Sequence, residues 1–157
     1  MDSADARPDE VVVVVLGGCR YALPLPSVAE VGRPPALTRV PGLPEWVAGV
    51  TNWRGRVLGV IDVRALLAAD PAPLDRGGRL VVLNRGAVAV GLLTEGVEGT
   101  AAIDAASLEP PLAHLPTSAG ALLTGQVTDA DGPVGLLDLE AVFGLADALP
   151  RPRRASA

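Results

Sequence analysis

The sequence contains no lysine: its 13 basic residues are all arginines, and 18 acidic residues give the chain a formal charge of -5. A protein that binds nucleic acid neutralises phosphates with basic side chains clustered on a folded face. The dense arginine cluster of this chain, Arg151, Arg153 and Arg154, stands beside prolines at the end of the sequence. We therefore expect no nucleic-acid binding, and we expect residues 148–157 to form a disordered tail.

Cysteine and long apolar runs are also scarce. Cys19, the single cysteine, has no partner for an internal disulfide and is most simply a small buried apolar residue. The apolar run Val11–Leu16 stops at Gly17, far short of the roughly 20 residues needed to cross a bilayer. Residues 1–10 are acidic, unlike the basic start of an export signal. These features predict a cytoplasmic protein without direct membrane insertion, which reaches the membrane only through partners.

Residues suited to catalysis are few. His114, the single histidine, stands in a proline-flanked stretch without a nucleophile or a second metal ligand at a useful spacing. A phosphate-binding loop of the type that ends in lysine is excluded because the chain has no lysine. Asp62 and Asp138 resemble a catalytic carboxylate pair, but each begins an amphipathic helix at an equivalent position, so helix capping explains both. The sequence predicts no catalytic residue, no metal, no cofactor and no enzymatic activity.

Glycine and proline are abundant, with 18 and 15 residues. Breakers spread along the whole chain favour short strands joined by turns over long helices. The pattern is clearest in the middle of the first half, where we expect a strand at Ala48–Trp53, a tight turn at Arg54–Gly55, a strand at Arg56–Ile61 and a short helix that begins at Asp62. The sequence predicts a mainly β fold.

The second half of the chain repeats the first. At an offset of 76 residues, 58–67 align with 134–143, and Gly49 falls on Gly125. An earlier hairpin, at residues 14–25, recurs near residues 81–93 with an offset of 67. Each half is thus predicted to hold two hairpins, a proline-rich bridge and a terminal helix.

Two small barrels would satisfy such a repeat. A half of about 65 residues carries the five short strands of a closed barrel, and closure removes strand edges that invite aggregation. We expect two five-stranded β-barrels packed side by side with short helices. The predicted boundaries are a flexible arm at residues 1–9 and a single domain at residues 10–147, with approximate halves at 10–70 and 79–147 and a linker at 70–78. Whether the barrels follow the halves or exchange strands stays open.

The segment Asn52–Gly55 has no counterpart in the second half, where Thr128–Asp131 occupies the same offset. An arginine on a hairpin turn is ordinarily a solvated surface charge. A rigid turn that holds a guanidinium beside an indole is also suited to recognition. Arg54 has two candidate partners: Glu30 of the same chain, or a carboxylate of another protein.

The order and spacing of these motifs resemble the CheW family, the coupling proteins of bacterial chemotaxis. The family's central motif, a glycine-valine strand, an Asn-x-Arg-Gly turn, a hydrophobic strand and Asp-x-Arg, is similar to residues 49–64. Its first hairpin and Val-x-Glu segment resemble residues 21–31. The resemblance continues at residues 90–97, 110–111 and 135–143, and covers the chain from about residue 11 to 145.

This resemblance implies an SH3-like, CheW-like pair of barrels and a non-enzymatic adaptor. Such an adaptor couples the cytoplasmic tip of chemoreceptors, the methyl-accepting chemotaxis proteins, to the regulatory domain of a CheA-type histidine kinase in a chemosensory array. The alternative is an assembly factor or decoy of the same fold, which binds the kinase or the array without coupling to a receptor, possible also in a non-flagellar pathway. The partner-binding residues implied by the resemblance are Val28, Glu30, Asn52, Trp53, Arg54, Gly55 and Val97.

Three positions depart from the family pattern. Glu95 stands in place of an aspartate, Gly59 in place of a proline that often follows the turn, and Trp53 in place of an aliphatic residue. Glu95 keeps the negative charge. Trp53 enlarges the surface beside the expected receptor contact, which is compatible with a different receptor or with a motility output other than flagella.

Overall fold

The computed structural model describes residues 9–67, 73–110 and 121–147, and within them the protein is mainly β. No helix of these ranges is long and apolar enough to cross a membrane. The strands and α-helices are β1 (Asp9–Leu16), β2 (Cys19–Pro24), β3 (Val28–Gly32), β4 (Val47–Trp53), β5 (Arg56–Ile61), α1 (Arg64–Leu67), β6 (Arg79–Arg85), β7 (Val88–Thr94), β8 (Gly96–Ile103), β9 (Leu123–Asp129), β10 (Gly132–Leu137) and α2 (Leu139–Ala146).

These strands form two five-stranded sheets, so the predicted mainly β fold with two five-stranded units is confirmed. The first sheet has the order β8-β1-β2-β10-β9 and the second has the order β3-β6-β7-β5-β4. Each sheet combines three strands from one half of the chain with the opening hairpin of the other half. The sheets therefore do not follow the halves: the hairpins β1–β2 and β6–β7 are exchanged. A parallel pair joins each foreign hairpin to its sheet, β2 with β10 and β7 with β5.

Apolar side chains pack on both faces of the central strands, which explains why β1 is an almost unbroken apolar run. In β1, Val12 and Val14 point into the core shared by the two sheets, whereas Val11 and Val13 belong to a smaller core inside the first sheet. The equivalent strand β6 divides its side chains in the same way, with Leu83 in the shared core. Burial on both faces positions the sheets against each other.

The internal repeat is visible as a common topology of the two sheets. The offset of 76 holds for the later strands, since β4–β5 corresponds to β9–β10. For the opening hairpin the structural offset is 69, because the pair Val14 and Tyr21 corresponds to the pair Leu83 and Val90. The predicted offset of 67 is therefore wrong by two residues. A shift of two preserves the alternation of inward and outward side chains, so the apolar pattern alone fits both alignments.

The repeated glycines allow a backbone segment to cross each sheet at close range. The segment at Thr38 pairs with β4 through hydrogen bonds of 2.8 and 2.9 Å, and the segment at Glu109 pairs with β9 through two of 2.8 Å. Both crossings lie over a glycine. A Cβ atom on Gly49 would collide with the carbonyl of Thr38, and one on Gly125 would lie 2.7 Å from the carbonyl oxygen of Glu109. Gly49 also has a φ of 142°, a conformation that disfavours other residues.

A buried ion cluster joins the second sheet to a turn of the first. The guanidinium of Arg64, which is 4% exposed, donates to the carboxylate of Asp62 at 2.8 Å and to Glu95 at 3.3 Å. The Glu95 carboxylate also accepts the backbone N–H groups of Gly17 and Gly18, at 3.0 and 2.9 Å. The hydrogen bonds that the Arg64 guanidinium donates to Asp62 raise the pKa of Arg64. One carboxylate thus holds both the end of β5 and the turn of the exchanged hairpin β1–β2.

The second half places an opposite charge at the equivalent position. At the offset of 76, Arg64 falls on Glu140 in α2, whose carboxylate lies 2.7 Å from the guanidinium of Arg85 at the end of β6. Both of these side chains are more than half exposed. The exchanged hairpin β6–β7 is therefore also tied to the terminal helix of the neighbouring unit, but by a solvated ion pair.

Other expectations have mixed outcomes. Asp138 caps α2, because its carboxylate accepts the N–H of Glu140 at 3.0 Å, and Asp62 accepts the N–H of Arg64 at 3.1 Å. The expectation that Cys19 is buried is wrong, because Cys19 is exposed. It directly follows two glycines, which have no side chains that could cover it. His114, the arm at residues 1–8 and the tail at residues 148–157 lie outside the described residues.

We expect Gly49→Ala to lower the free energy of unfolding by about 2 kcal/mol more than Gly132→Ala, because overpacking against the Thr38 carbonyl adds to the backbone strain. Gly132 is the matched control, since its φ is 117° but a Cβ there would meet nothing within 4 Å. Denaturant unfolding measures both variants. Equal losses would show that only the backbone conformation matters at Gly49.

We expect Glu95→Gln to cost about 2 kcal/mol of unfolding free energy, because it leaves the buried charge of Arg64 with one carboxylate. Glu140→Gln, its control in the solvated pair, is expected to cost less than about 0.5 kcal/mol. Thermal and denaturant unfolding of the two variants test this difference. If both substitutions cost the same, the cluster at Glu95 does not hold the sheets together.

Candidate partner-binding surface

The turn between β4 and β5 is rigid and holds an arginine outward. Arg54 and Gly55 have φ values of 53° and 79°, as a type I′ turn requires at its two central residues. Arg54 is the one residue other than glycine with a positive φ in the described part of the chain. The side-chain oxygen of Asn52 accepts the N–H of Gly55 at 3.0 Å and so fixes the turn from within.

The carboxylate of Glu30 receives both side chains of this turn. It accepts the indole N–H of Trp53 at 2.9 Å, and the guanidinium of Arg54 through contacts of 2.7 to 3.0 Å. The guanidinium carbon lies 5.8 Å from the centroid of the Trp53 ring, within the range of a cation–π contact. The predicted ion pair between Glu30 and Arg54 is confirmed. Arg54 nevertheless stays 73% exposed, so its guanidinium also faces solvent.

This contact connects the two edges of the second sheet. Glu30 lies on β3 and Trp53 on β4, which are the outermost strands in the order of the sheet. The indole passes so close to β3 that a Cβ atom on Gly32 would lie 2.9 Å from the ring. We call such a side-chain contact between the two edge strands of a sheet a closure. The contact of Glu30 is a closure of the second sheet and is also part of its surface.

Hydrogen bonds to the Glu30 carboxylate lower its pKa, first from Arg54 and then from Trp53. A carboxylate whose pKa is lower in the folded than in the unfolded protein stabilises the fold above its ordinary pKa. That contribution is lost as the pH falls through the folded-state value. At neutral pH the closure is therefore fully formed, and acid weakens it.

The first sheet has an equivalent closure that sequence reasoning missed. Arg20 donates to Asp129 in a bidentate contact at 2.8 and 3.0 Å, and to Glu98 at 2.9 Å. Glu98 and Asp129 lie on β8 and β9, the two edges of that sheet. The Arg20 guanidinium lowers the pKa of the Asp129 carboxyl. No local signal reveals this cluster, because its members are separated by up to 109 residues.

A shallow groove of about 590 Å³ lies beside the Arg54 turn; we name it the turn groove. Val57 and Val88, each 54% exposed, offer apolar surface there, and Glu30 and Arg54 stand on its border. The end of α2 also reaches it. The lining residues are Ala29, Glu30, Trp53, Arg54, Arg56, Val57, Leu58, Gly59, Val82, Asn84, Ala87, Val88, Ala89, Ala146 and Asp147.

The other two implied partner residues lie elsewhere. Val28 begins β3 and Val97 lies near the start of β8, at equivalent positions of the two sheets, opposite Leu83 and Val14. Both are partly buried and pack against the shared core. The structure thus brings five of the implied residues together at the turn and places the two valines at the junction of the sheets. Within the described ranges, no group of three potential metal ligands occurs.

Comparisons with known proteins agree with this architecture. A family model described as the CheW-like domain matches residues 10–147. The chemotaxis protein CheW of Klebsiella aerogenes is 29% identical over 131 residues, which cover 83% of this chain and 79% of that protein. Protein FrzA of Myxococcus xanthus is 34% identical over 110 residues, 69% of each chain. Protein PilI of Pseudomonas aeruginosa is 36% identical over 84 residues, 54% of this chain and 47% of that protein.

A solved structure is similar over most of its length. The scaffolding protein TtCheW from Thermoanaerobacter tengcongensis matches with a TM-score of 0.75 and 25% identity, covering 88% of this chain and 90% of that one. The family model therefore matches the same part of the chain that forms the two sheets. This chain belongs to the family of CheW-like domain proteins.

Proposed function

We propose that this protein is a non-enzymatic adaptor that joins the cytoplasmic tip of chemoreceptors to the regulatory domain of a CheA-type histidine kinase. An adaptor needs two separate contact surfaces on one rigid body. The observation that carries the proposal is the turn groove: exposed valines lie beside an arginine that is held in place by the Glu30 carboxylate on an edge strand and by a turn with positive φ. Membership of the CheW family supports the assignment of the partners.

The turn groove is assigned to the kinase. Val57 and Val88 supply an apolar centre, and the border carries both signs of charge through Glu30, Arg54 and Asp147. An apolar centre with a charged rim is the usual anatomy of a protein–protein contact. The junction of the two sheets, where Val28 and Val97 meet the shared core, is assigned to the receptor. The two partners then bind at once, at different places.

Arg54 has two roles in this proposal, and they are separable. Its contact with Glu30 closes the sheet, whereas its exposed guanidinium donors remain available to a carboxylate of the kinase. Because the pair is largely solvated, its contribution to stability is small. The larger effect of removing the guanidinium is expected in binding.

We expect Arg54→Asn to weaken kinase binding about tenfold, which is about 1.4 kcal/mol, and to change the unfolding free energy by less than about 1 kcal/mol. Asparagine tolerates a positive φ, so the turn is kept while the guanidinium is lost. Titration calorimetry with the isolated kinase regulatory domain measures the affinity. Arg33→Asn, which removes an exposed arginine outside the groove, is the control. Unchanged binding by Arg54→Asn would leave Arg54 as a structural residue only.

We expect Val57→Asp and Val88→Asp to abolish kinase binding and to leave receptor-tip binding intact, because each places a carboxylate in the apolar centre of the groove. Val31→Asp is the matched control. Val31 is 42% exposed on a strand, so an aspartate there lowers stability in a similar way, but Val31 lies outside the groove. Pull-down of each partner by the folded variants tests the assignment. Loss of kinase binding in the Val31 variant as well would contradict it.

Binding of the unsubstituted protein decides between the adaptor and its alternative. An adaptor binds the receptor tip and the kinase domain, each with a dissociation constant on the order of tens of micromolar. An assembly factor or decoy binds the kinase and not the receptor. Trp53, an aromatic residue where the family pattern has an aliphatic one, lines the turn groove, which this proposal assigns to the kinase. A protein that binds neither partner at such concentrations is not an adaptor of this type.

A further inference from the structure

A second groove, which the proposed function does not use, lies on the first sheet at the start of α2. Its volume is about 750 Å³. Its floor is apolar, with Leu25, Leu108 and Leu139 among its residues, and Leu108 is 40% exposed. We name it the acidic groove for its border, where four carboxylates stand without any basic residue among the lining side chains: Asp9, Glu10, Asp138 and Glu140.

Two of these carboxylates already have partners. Asp138 caps α2 and Glu140 pairs with Arg85, so the excess negative charge is concentrated at Asp9 and Glu10, both exposed at the start of β1. An apolar floor with an acidic border fits a segment that alternates apolar and basic residues. The same acidic border disfavours occupancy of the groove by residues 1–8, which are acidic, although they directly precede β1 in the sequence.

The sequence that follows α2 has this alternation. Residues 148–157 read Ala-Leu-Pro-Arg-Pro-Arg-Arg-Ala-Ser-Ala, with Pro150 and Pro152 interleaved with Arg151 and Arg153. Proline fixes its own φ and disfavours helix at the residue before it, so an extended backbone is favoured here. The extended form of such a proline-rich segment is the polyproline II helix, whose three residues per turn place Arg151 and Arg154 on one side and the two prolines on the other two sides. Prolines can then face an apolar floor while arginines reach its acidic border.

The length of the segment is sufficient. The eight residues of α2 span about 12 Å, with Leu139 at the acidic groove and Ala146 at the turn groove. Four extended residues beyond Asp147 reach back about 13 Å to Arg151, and six or seven reach about 20 Å or more. The arginines therefore come level with the acidic border.

We propose that the protein's own C-terminal segment, residues 148–157, docks in the acidic groove, with its prolines on the leucine floor and its arginines against Asp9 and Glu10. The docked segment covers the apolar surface of the first sheet. A partner that uses this surface must displace it, so its apparent affinity is reduced by the fraction of molecules in which the groove is occupied. This inference does not depend on the proposed adaptor function.

A spin label at the end of the segment tests the docking in the full chain. The label is attached to Ala155→Cys in a Cys19→Ser background, and amide signals are recorded by NMR. We expect the signals of Glu10, Leu108 and Leu139 to lose at least about twofold in intensity relative to the Trp53 indole signal, and to recover when salt is raised from about 0.01 M to about 1 M. As a control, spin-labelled protein without isotope enrichment is mixed with isotope-enriched protein that carries no spin label. The enriched protein must show no loss of intensity, because the proposed contact lies within one molecule.

Charge variants give the decisive comparison. Replacing Arg151, Arg153 and Arg154 by serine must remove the broadening, whereas the same replacement of the exposed Arg33, Arg39 and Arg76 must not. Glu10→Arg must weaken the broadening, and combining it with glutamate at the three tail positions must restore it. Equal intensities in the groove and at Trp53, broadening that survives the tail replacement, or broadening in the mixed sample would each overturn the proposal.

Discussion

The carboxylate of Glu95 is the contact on which the arrangement of the two sheets depends. It lies just after β7 in the second sheet, yet it accepts the backbone N–H groups of the β1–β2 turn in the first sheet. The same carboxylate meets Arg64, whose guanidinium is buried and also held by Asp62. Removing the Glu95 charge leaves the buried guanidinium with less compensating negative charge, although Asp62 still holds it. The hairpin exchange is therefore fixed electrostatically as well as by apolar packing.

The side-chain contacts that join the edge strands of each sheet also shape the surface that we propose for a partner. In the second sheet, Glu30 ties β3 to the β4–β5 turn through Trp53 and Arg54, and in the first sheet Arg20 ties β8 to β9. Both clusters fix the edges of a sheet by side chains. Only the closure at Glu30 leaves a guanidinium mostly exposed beside apolar residues. A stabilising contact and the proposed recognition surface thus share the same residues.

Much of the fold follows from local sequence signals, because strands, turns and caps depend on neighbouring residues. The Arg54–Gly55 turn, the equivalence of Gly49 and Gly125 in the repeat, and the cap at Asp138 were all predictable in this way. The hairpin exchange was not predictable. A sheet buries the same pattern of apolar side chains whether its hairpin comes from the same half of the chain or from the other half. The burial of Arg64 and the role of Arg20 also escaped prediction. Their partners are distant in sequence, and an arginine is ordinarily expected at the surface.

The exchange of hairpins gives the chain the topology of a domain-swapped dimer. A single ancestral unit of three strands and its own hairpin would have the pieces of one complete sheet, but here each hairpin completes the sheet of the other unit. Two separate copies that traded hairpins would form a symmetric, domain-swapped dimer with both sheets complete. Two such copies joined end to end would keep that arrangement within one polypeptide. The two units of the present chain differ at their surfaces: one carries the arginine turn and the other the acidic border.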